Sequence, residues 1–334
     1  MKKYPAPRYD YERTRIPENE RTRQNHPIPN DLKIKRVYMK ETADETCWAY
    51  MKLLRETSKM KKVYPVNPYV EVYQFRDNLY GLLEECPFGM ADVWMYLTIG
   101  PEKALLVDTG CGIGNLKGLI DELTGGMEVI AVSTHFHQDH CYGNRHFDKV
   151  YCGVLDHPVI AKYDKHMFDF LFDESTGQPI WSEFDKNDIT PFKEYELVAC
   201  PDGTTFNLGG DHDVEVIHVG GNTLGQVAVL DKKDRHLFAG DNIISMRVVA
   251  DKFIDFHNNI KRLAERIDEY DHVFSGHYVT DLESAVVMNL YNTLCDIAKD
   301  PEKGYFSLAG EFHGCSHFRY VDGLGTFGYK TPLD

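Results

Sequence analysis

Residues 127–133 run nearly apolar from end to end, and directly behind them stand Thr134-His135-Phe136-His137-Gln138-Asp139-His140. An apolar run of strand length reads as a strand buried on both faces, as in a sheet covered by helices. Its end carries three imidazoles and a carboxylate within six residues. In an extended or turning loop, a period of two sends His135 and His137 to the same side. Asp139 and His140 then turn a corner toward a neighbouring point. This pattern suits two adjacent metal ions rather than one. Imidazole and carboxylate donors select zinc, iron or manganese over calcium or magnesium.

The rest of the chain supplies sheets for such a strand. Residues 1–30 read as an extended arm punctuated by Pro5, Pro7, Pro17, Pro27 and Pro29. Residues 41–62 read as an amphipathic helix capped by Thr42 or Asp44, with Pro65 and Pro68 closing the extension. Strands are expected at 70–75, 93–99 and 104–107, a helix at 115–123, and an aromatic-rich helix at 158–172. The polar, irregular stretch 173–195 reads as an insertion or lid. Strands return at 214–219, 226–230, 236–239 and 272–275, with helices at 258–270 and 281–298. Alternation in two blocks predicts an α/β layering of sheets covered by helices. The expected division is an arm and helix over 1–69, a domain over 70–300, and a Gly- and aromatic-rich tail over 301–334 packed on that domain.

Composition bounds the function. The 334 residues are 43% hydrophobic and 27% charged, an ordinary globular balance. No stretch approaches the ~20 apolar residues of a membrane helix. The charged N-terminus lacks the apolar core of a secretory signal, so a cytoplasmic protein without a membrane partner is expected. Residues 1–62 carry 16 Lys and Arg against 9 Asp and Glu, and the remainder 21 against 43. An acidic body repels phosphates, so no nucleic acid is expected on it. The basic segment is expected to lie across the acidic body of its own or a partner subunit. Eight cysteines without a Cys-x-x-Cys pair read as reduced core thiols. The helix at 41–62 and the aromatic tail suggest oligomer contacts, for which a homodimer is the commonest outcome.

With three other motifs, His-x-His-x-Asp-His after a strand resembles the metallo-β-lactamase superfamily. Leu106-Val107-Asp108-Thr109-Gly110 is similar to that family's early strand-end Asp. Leu237-Phe238-Ala239-Gly240-Asp241 is similar to its Gly-Asp, and Val273-Phe274-Ser275-Gly276-His277 to its last ligand. The resemblance covers about residues 70–300. It implies a four-layer αββα sandwich with the metals at one edge of the two sheets, here with N- and C-terminal extensions. It also implies that Asp139, His140 and His277 hold one ion, that His135 and His137 hold another, and that Asp241 bridges both. Asp108 and Thr134 would support the metal loop from behind.

One position departs from the family pattern. Where the family has Gly-His-Thr-x-Gly, this chain has Gly221-Asn222-Thr223-Leu224-Gly225. An amide oxygen is a weaker, harder donor than a neutral imidazole. Three outcomes stay open at this point. A second ion binds only weakly, or Asn222 ligates through its oxygen and shifts the preference toward iron or manganese, or a histidine from elsewhere fills the gap. His313 and His317 are the candidates for that last role, against the simpler reading of a tail packed on the body. His218 reads as a strand residue before the turn.

The implied function is a hydrolase acting on a small ester, thioester, lactone or amide. One or two divalent ions, zinc first and iron or manganese otherwise, would activate a water and polarise the substrate. Asp139 would orient that water and shuttle its proton. Asp at position 241 in place of Cys, with no signal, argues against a secreted antibiotic-hydrolysing lactamase. A glyoxalase-type thioester hydrolase would need His at 222. The competing reading is a non-catalytic, sensor-like metal-binding member, against which six unaltered ligands of seven speak. Cys141, His146 and the aromatics Tyr142, Phe172, Trp181 and Tyr278 read as structural before they read as pocket residues. The substrate itself is not legible.

Overall fold

The computed structural model describes residues 32–36, 54, 58–88, 91–249, 252–303, 305–306 and 315–333. The arm expected over 1–30, most of the helix expected over 41–62, and His313 lie outside the described residues. The end of that helix expectation is corrected. Lys61 and Lys62 belong to the strand Lys61–Tyr64, paired antiparallel with Asn67–Arg76. Val63 and Tyr64 favour a strand, and the turn at Pro65 folds it back as a hairpin.

Two sheets face each other. The first has eight strands, in the order Glu196–Cys200, Lys149–Gly153, Glu128–Ser133, Lys103–Val107, Val93–Ile99, Leu79–Glu84, Asn67–Arg76 and Lys61–Tyr64. Its first four strands are parallel and the rest antiparallel. The second has six, in the order Thr205–Asn207, Asp213–His218, Val227–Asp231, His236–Gly240, His272–Ser275 and Leu282–Glu283. Its one parallel pair joins His236–Gly240 to His272–Ser275.

Period two divides each central strand between two cores. On Lys103–Val107, Leu105 and Val107 enter the core between the sheets, while Ala104 and Leu106 meet the helix Leu116–Thr124 on the outer face. On Val227–Asp231, Val227 and Val229 face inward, and Ala228 and Leu230 face the helices Phe253–Ala264 and Ala285–Lys299. The layers therefore run αββα. With both faces of the sheets covered, truncating any large core side chain, such as Phe238 on a strand or Leu290 on the helix Ala285–Lys299, costs about 2–5 kcal/mol. The helix Leu116–Thr124 starts where the Asn115 side chain accepts a hydrogen bond from Gly118 N (3.0 Å). It buries Leu116, Leu119 and Ile120, an i, i+3, i+4 stripe.

The helix expected over 258–270 instead spans Phe253–Ala264, with a separate turn at Ile267–Glu269, and one more expectation differs. Residues 158–172 form one helical turn, His157–Ile160, and a tight turn, Asp169–Leu171, rather than a helix. Here ring packing overrides local propensity: Phe168 meets Tyr142 edge-on (5.2 Å) and lies under the Arg145 guanidinium (4.7 Å). The tail builds strands. His317–Val321 and Gly325–Tyr329 join Tyr305–Phe306 and Met246–Val249 in a four-stranded sheet, and Phe327 stacks on Phe256 (5.6 Å). No helix among the described residues is long and apolar enough to cross a membrane.

Five strands end at one edge of the sandwich. Lys103–Val107 leads into Asp108, Glu128–Ser133 into His135–His140, Asp213–His218 into Asn222, His236–Gly240 into Asp241, and His272–Ser275 into His277.

Candidate metal centre

Glu128–Ser133 leads into a bend at Thr134 and His135, and the one-turn helix Gln138–Cys141 turns the chain so that Asp139 and His140 face inward. Two donor groups result: His135, His137 and Asp241, and Asp139, His140 and His277. Glycine is needed where the strands converge, because a Cβ at Gly276 would lie 2.3 Å from Asp241 Oδ1.

The outer nitrogens of three imidazoles are held, which leaves Nε2 of each turned inward. His140 Nδ1–H donates to Asp108 Oδ2 (2.8 Å), and His277 Nδ1–H donates to the Asp92 carbonyl (2.9 Å). His135 Nδ1–H donates to Thr134 Oγ1 (3.0 Å), whose own hydroxyl donates to Asp108 Oδ2 (2.9 Å). Asp108 also accepts Thr134 N at 2.6 Å. To reach both partners Asp108 adopts φ 64°, a left-handed conformation that Asp tolerates better than most residues.

The inward atoms have the spacing a metal ion requires. Donors at zinc distances of 2.0–2.2 Å in a tetrahedron stand about 3.3–3.6 Å apart. In one group His140 Nε2 and His277 Nε2 are 3.3 Å apart, and Asp139 Oδ2 stands 3.6 and 3.3 Å from them. Asp241 closes this group, with Oδ1 3.4 Å from His140 Nε2 and Oδ2 3.3 Å from His277 Nε2. In the other, His135 Nε2 lies 3.0 Å from His137 Nδ1 and 3.6 Å from Asp241 Oδ2. Asp241 Oδ1 is buried with no hydrogen-bond partner among the described residues. Acceptors that face one another, with an orphaned carboxylate oxygen between them, fit a cation.

The electrostatics agree. Burial acts to lower the pKa of His140 and His277, yet the carboxylates of Asp241 and Asp139 outweigh it and hold both well above the usual value. Burial acts to raise Asp139 and Asp241, yet the facing imidazoles keep both below the carboxylate range. Burial lowers His135, with the charge of His140 acting the same way. The site thus demands positive charge at the His140–His277 side and keeps its carboxylates ionised.

Asn222 faces this centre. Its Nδ2 stands 3.2 Å from His135 Nε2, 3.1 Å from His137 Nδ1 and 3.4 Å from Asp241 Oδ2. His317 does not join it. It packs on the Tyr329 ring (5.5 Å) and lies near Ser316 and Glu302, within the tail. His218 Nε2–H donates to the Leu224 carbonyl (2.8 Å). Cys141 is buried, its thiol directed at the carbonyls of Phe136 and His137. His146 bonds Thr190, away from the donors. Tyr142 and Tyr278 are buried, and Phe172 and Trp181 pack beside Cys86 and Phe168.

Several supporting residues escaped the sequence reading. Asp156 accepts Phe136 N (3.0 Å), Thr223 Oγ1 (2.6 Å) and Gly225 N (2.9 Å), and so ties the histidine loop to the Asn222 loop. Asn242 accepts Asn222 N (3.0 Å) and donates to the Gly220 carbonyl (2.6 Å). Glu84 accepts Cys111 N (2.7 Å) behind the Asp108 loop, and burial pushes its carboxyl up to about 8. Only Asn242, next to Asp241, had a sequence signal that could have marked it.

Known proteins bear on this geometry. The sequence profile of the Metallo-beta-lactamase superfamily matches residues 88–277. The acyl-coenzyme A thioesterase MBLAC2 of Homo sapiens is 27% identical over 213 residues, covering 57% of this chain and 74% of that protein. The Gallus gallus protein of the same name is 24% identical over 205 residues, covering 56% and 72%. Among solved structures, a metallo-beta-lactamase from Pontibacter korlensis superposes with a TM-score of 0.50 at 20% identity, over 68% of this chain and 99% of that one. TMB-1 superposes at 0.51 and 17% identity, over 70% and 100%. These structural likenesses carry the fold. The profile spans more than half of the chain, including the donors from His135 to His277: the chain belongs to the metallo-β-lactamase superfamily and is a metal-dependent hydrolase.

Proposed function

We propose that the chain hydrolyses an acyl thioester, of the kind acyl-coenzyme A presents, with ions held where the two sheets end. The observation that carries the reading is the pair of donor sets that meet at Asp241 at tetrahedral spacing. The activity named for the MBLAC2 relatives favours a thioester over an oxygen ester, lactone or amide. In this reading His135, His137 and Asp241 would hold one ion, with Asn222 at its remaining corner, and Asp139, His140, His277 and Asp241 the other. Zinc suits those donors best, ahead of iron or manganese. Bound there, such ions lower the pKa of a water toward neutrality and polarise the substrate carbonyl.

The chain's own groups do the rest. Asp108 locks the tautomer of His140 directly and that of His135 through Thr134. Asp139 stays ionised, so it can orient the attacking water; in this proposal it also relays that water's proton toward the leaving group. A thiol of ordinary pKa near 8.5 departs far more readily than an alcohol, so the leaving group asks little beyond the proton Asp139 returns. The extensions 1–69 and 301–334, flanking the 70–300 domain, are where we expect the acyl and carrier groups to be recognised. The proposal sets the enzyme in the cytoplasm as a homodimer acting on a small molecule rather than nucleic acid. Light scattering that gives a monomer mass would remove the dimer.

The test is a substrate panel. Zinc-loaded protein is assayed for thiol release from acyl-coenzyme A of several chain lengths, beside p-nitrophenyl esters, lactones and amides. Thioester turnover above the rest supports the proposal. Turnover confined to the other classes moves the substrate, and inertness of fully metallated protein to all of them restores the sensor reading.

A further inference from the structure

We infer that the two halves of the metal centre are unequal, and that Asn222 makes the half built on His135 and His137 the exchangeable one. The inference rests on the metal-binding part of the reading above and not on the choice of substrate.

Charge separates the halves first. The half built on Asp139, His140 and His277 has a carboxylate of its own besides the shared Asp241. The half built on His135 and His137 has only the shared one. Asp108 contacts His140 directly at 2.8 Å, but reaches His135 only through the Thr134 hydroxyl. A divalent cation therefore meets the more negative and more firmly oriented donors on the His140–His277 side.

Asn222 then acts against an ion in the other half. Its Nδ2 stands at a corner of that half, within 3.1–3.4 Å of His137 Nδ1, His135 Nε2 and Asp241 Oδ2. An amide N–H donates and cannot ligate a cation. His135 Nε2 and His137 Nδ1 face each other at 3.0 Å, and the amide N–H groups of Asn222 are within reach of both. To ligate, the amide must turn over and present Oδ1, which gives up those contacts. The backbone cannot share in the motion, since Asn242 holds Asn222 N and Asp156 holds Thr223 and Gly225. The side chain is thus an internal stand-in for the ion, stabilising this half while it is empty. Among the described residues no amide enters the other half: His140 Nε2 and His277 Nε2 face only each other and the carboxylates of Asp139 and Asp241.

The full-length protein is stripped of metal and titrated with zinc against a chromophoric chelator, and metal per chain is counted by elemental analysis. One tight equivalent is expected, with a second at least roughly tenfold weaker. Asn222→His should tighten the second by roughly 10–100-fold, the range typical of a change in ligand support. His137→Ala should remove the weak equivalent and keep the tight one, and His277→Ala should lose the tight one. This second comparison stands even if Asn222→His does not fold. Two equivalents of equal affinity would overturn the inference, as would an unchanged second equivalent in Asn222→His or loss of the tight one in His137→Ala. Because the readout is metal per chain, failure of the thioester reading leaves the result intact.

Discussion

Two His–Asp clusters sit at opposite ends of the same strand, His236–Gly240. Before its start lie His212, Asp231 and Asp234, and past its end lies Asp241 among the imidazoles. Both bring ligand-type atoms within 4.8 Å of one another, and neither is told from the other by residue type. Their hydrogen bonds differ. At the first, His212 Nε2–H donates to Asp231 Oδ2 (2.8 Å), Asp231 Oδ1 accepts Asp234 N (3.0 Å), and Asp234 Oδ2 accepts Asn78 Nδ2 (2.5 Å). That cluster is a staple across a turn, with both Asp231 oxygens and Asp234 Oδ2 already accepting hydrogen bonds. At the second, inward nitrogens face one another and Asp241 Oδ1 accepts no hydrogen bond among the described residues. Unsatisfied buried acceptors, rather than histidines and aspartates as such, mark where a cation belongs.

The contrast breaks most visibly in turnover. Asp139→Ala and His277→Ala should each lower kcat by about 10³-fold or more, equivalent to about 4 kcal/mol of barrier, and lower metal content as well. His212→Ala should change neither. Wild-type turnover in either of the first two variants, or metal loss in the third, would erase the distinction. A smaller effect is expected behind the ligands. Asn tolerates the left-handed backbone of position 108, so Asp108→Asn should keep the loop while removing the charge that orients His140. Zinc affinity should fall roughly 10–100-fold, with the melting temperature of metal-free protein little changed. A lowered melting temperature with unchanged affinity would make Asp108 a loop brace and nothing more.

Much of the second cluster is legible in sequence, because each donor follows a recognisable strand end. Val93–Ile99 and His272–Ser275 fall on the expected residues, since their apolar runs are bounded by turn residues. His135 to His140 are legible from spacing alone, whereas Asn222, Asp241 and His277 become legible only through the family resemblance. Their supports are hidden. Asp156 meets the Asn222 loop across 67 and 69 residues, and His277 meets the Asp92 carbonyl across 185, so no local pattern announces either. The tail hides its strands because Gly323, Gly325 and Gly328 depress strand propensity, while pairing with Met246–Val249 restores it. The helix expected over 158–172 fails for the opposite reason, as apolar residues with helical spacing are drawn into an aromatic cluster.

The staple itself gives the smallest prediction, and the one that most sharpens the contrast. The hydrogen bond to Asp231 raises the pKa of His212 against the opposing effect of burial. A raised folded-state value means that protonated His212 stabilises the fold. That stabilisation is complete below the unfolded pKa near 6.5 and fades as pH rises through the folded value. The stability gap between wild type and His212→Gln should therefore be larger at pH 6 than at pH 8.5, by about 1 kcal/mol in urea unfolding. Groups of the metal centre titrate in both proteins and cancel in the gap. Equal gaps would mean that Asp231 pairs with a neutral imidazole. A gap that grew with added zinc would make this cluster a metal site too, and satisfied hydrogen bonds would no longer separate the two ends of the strand.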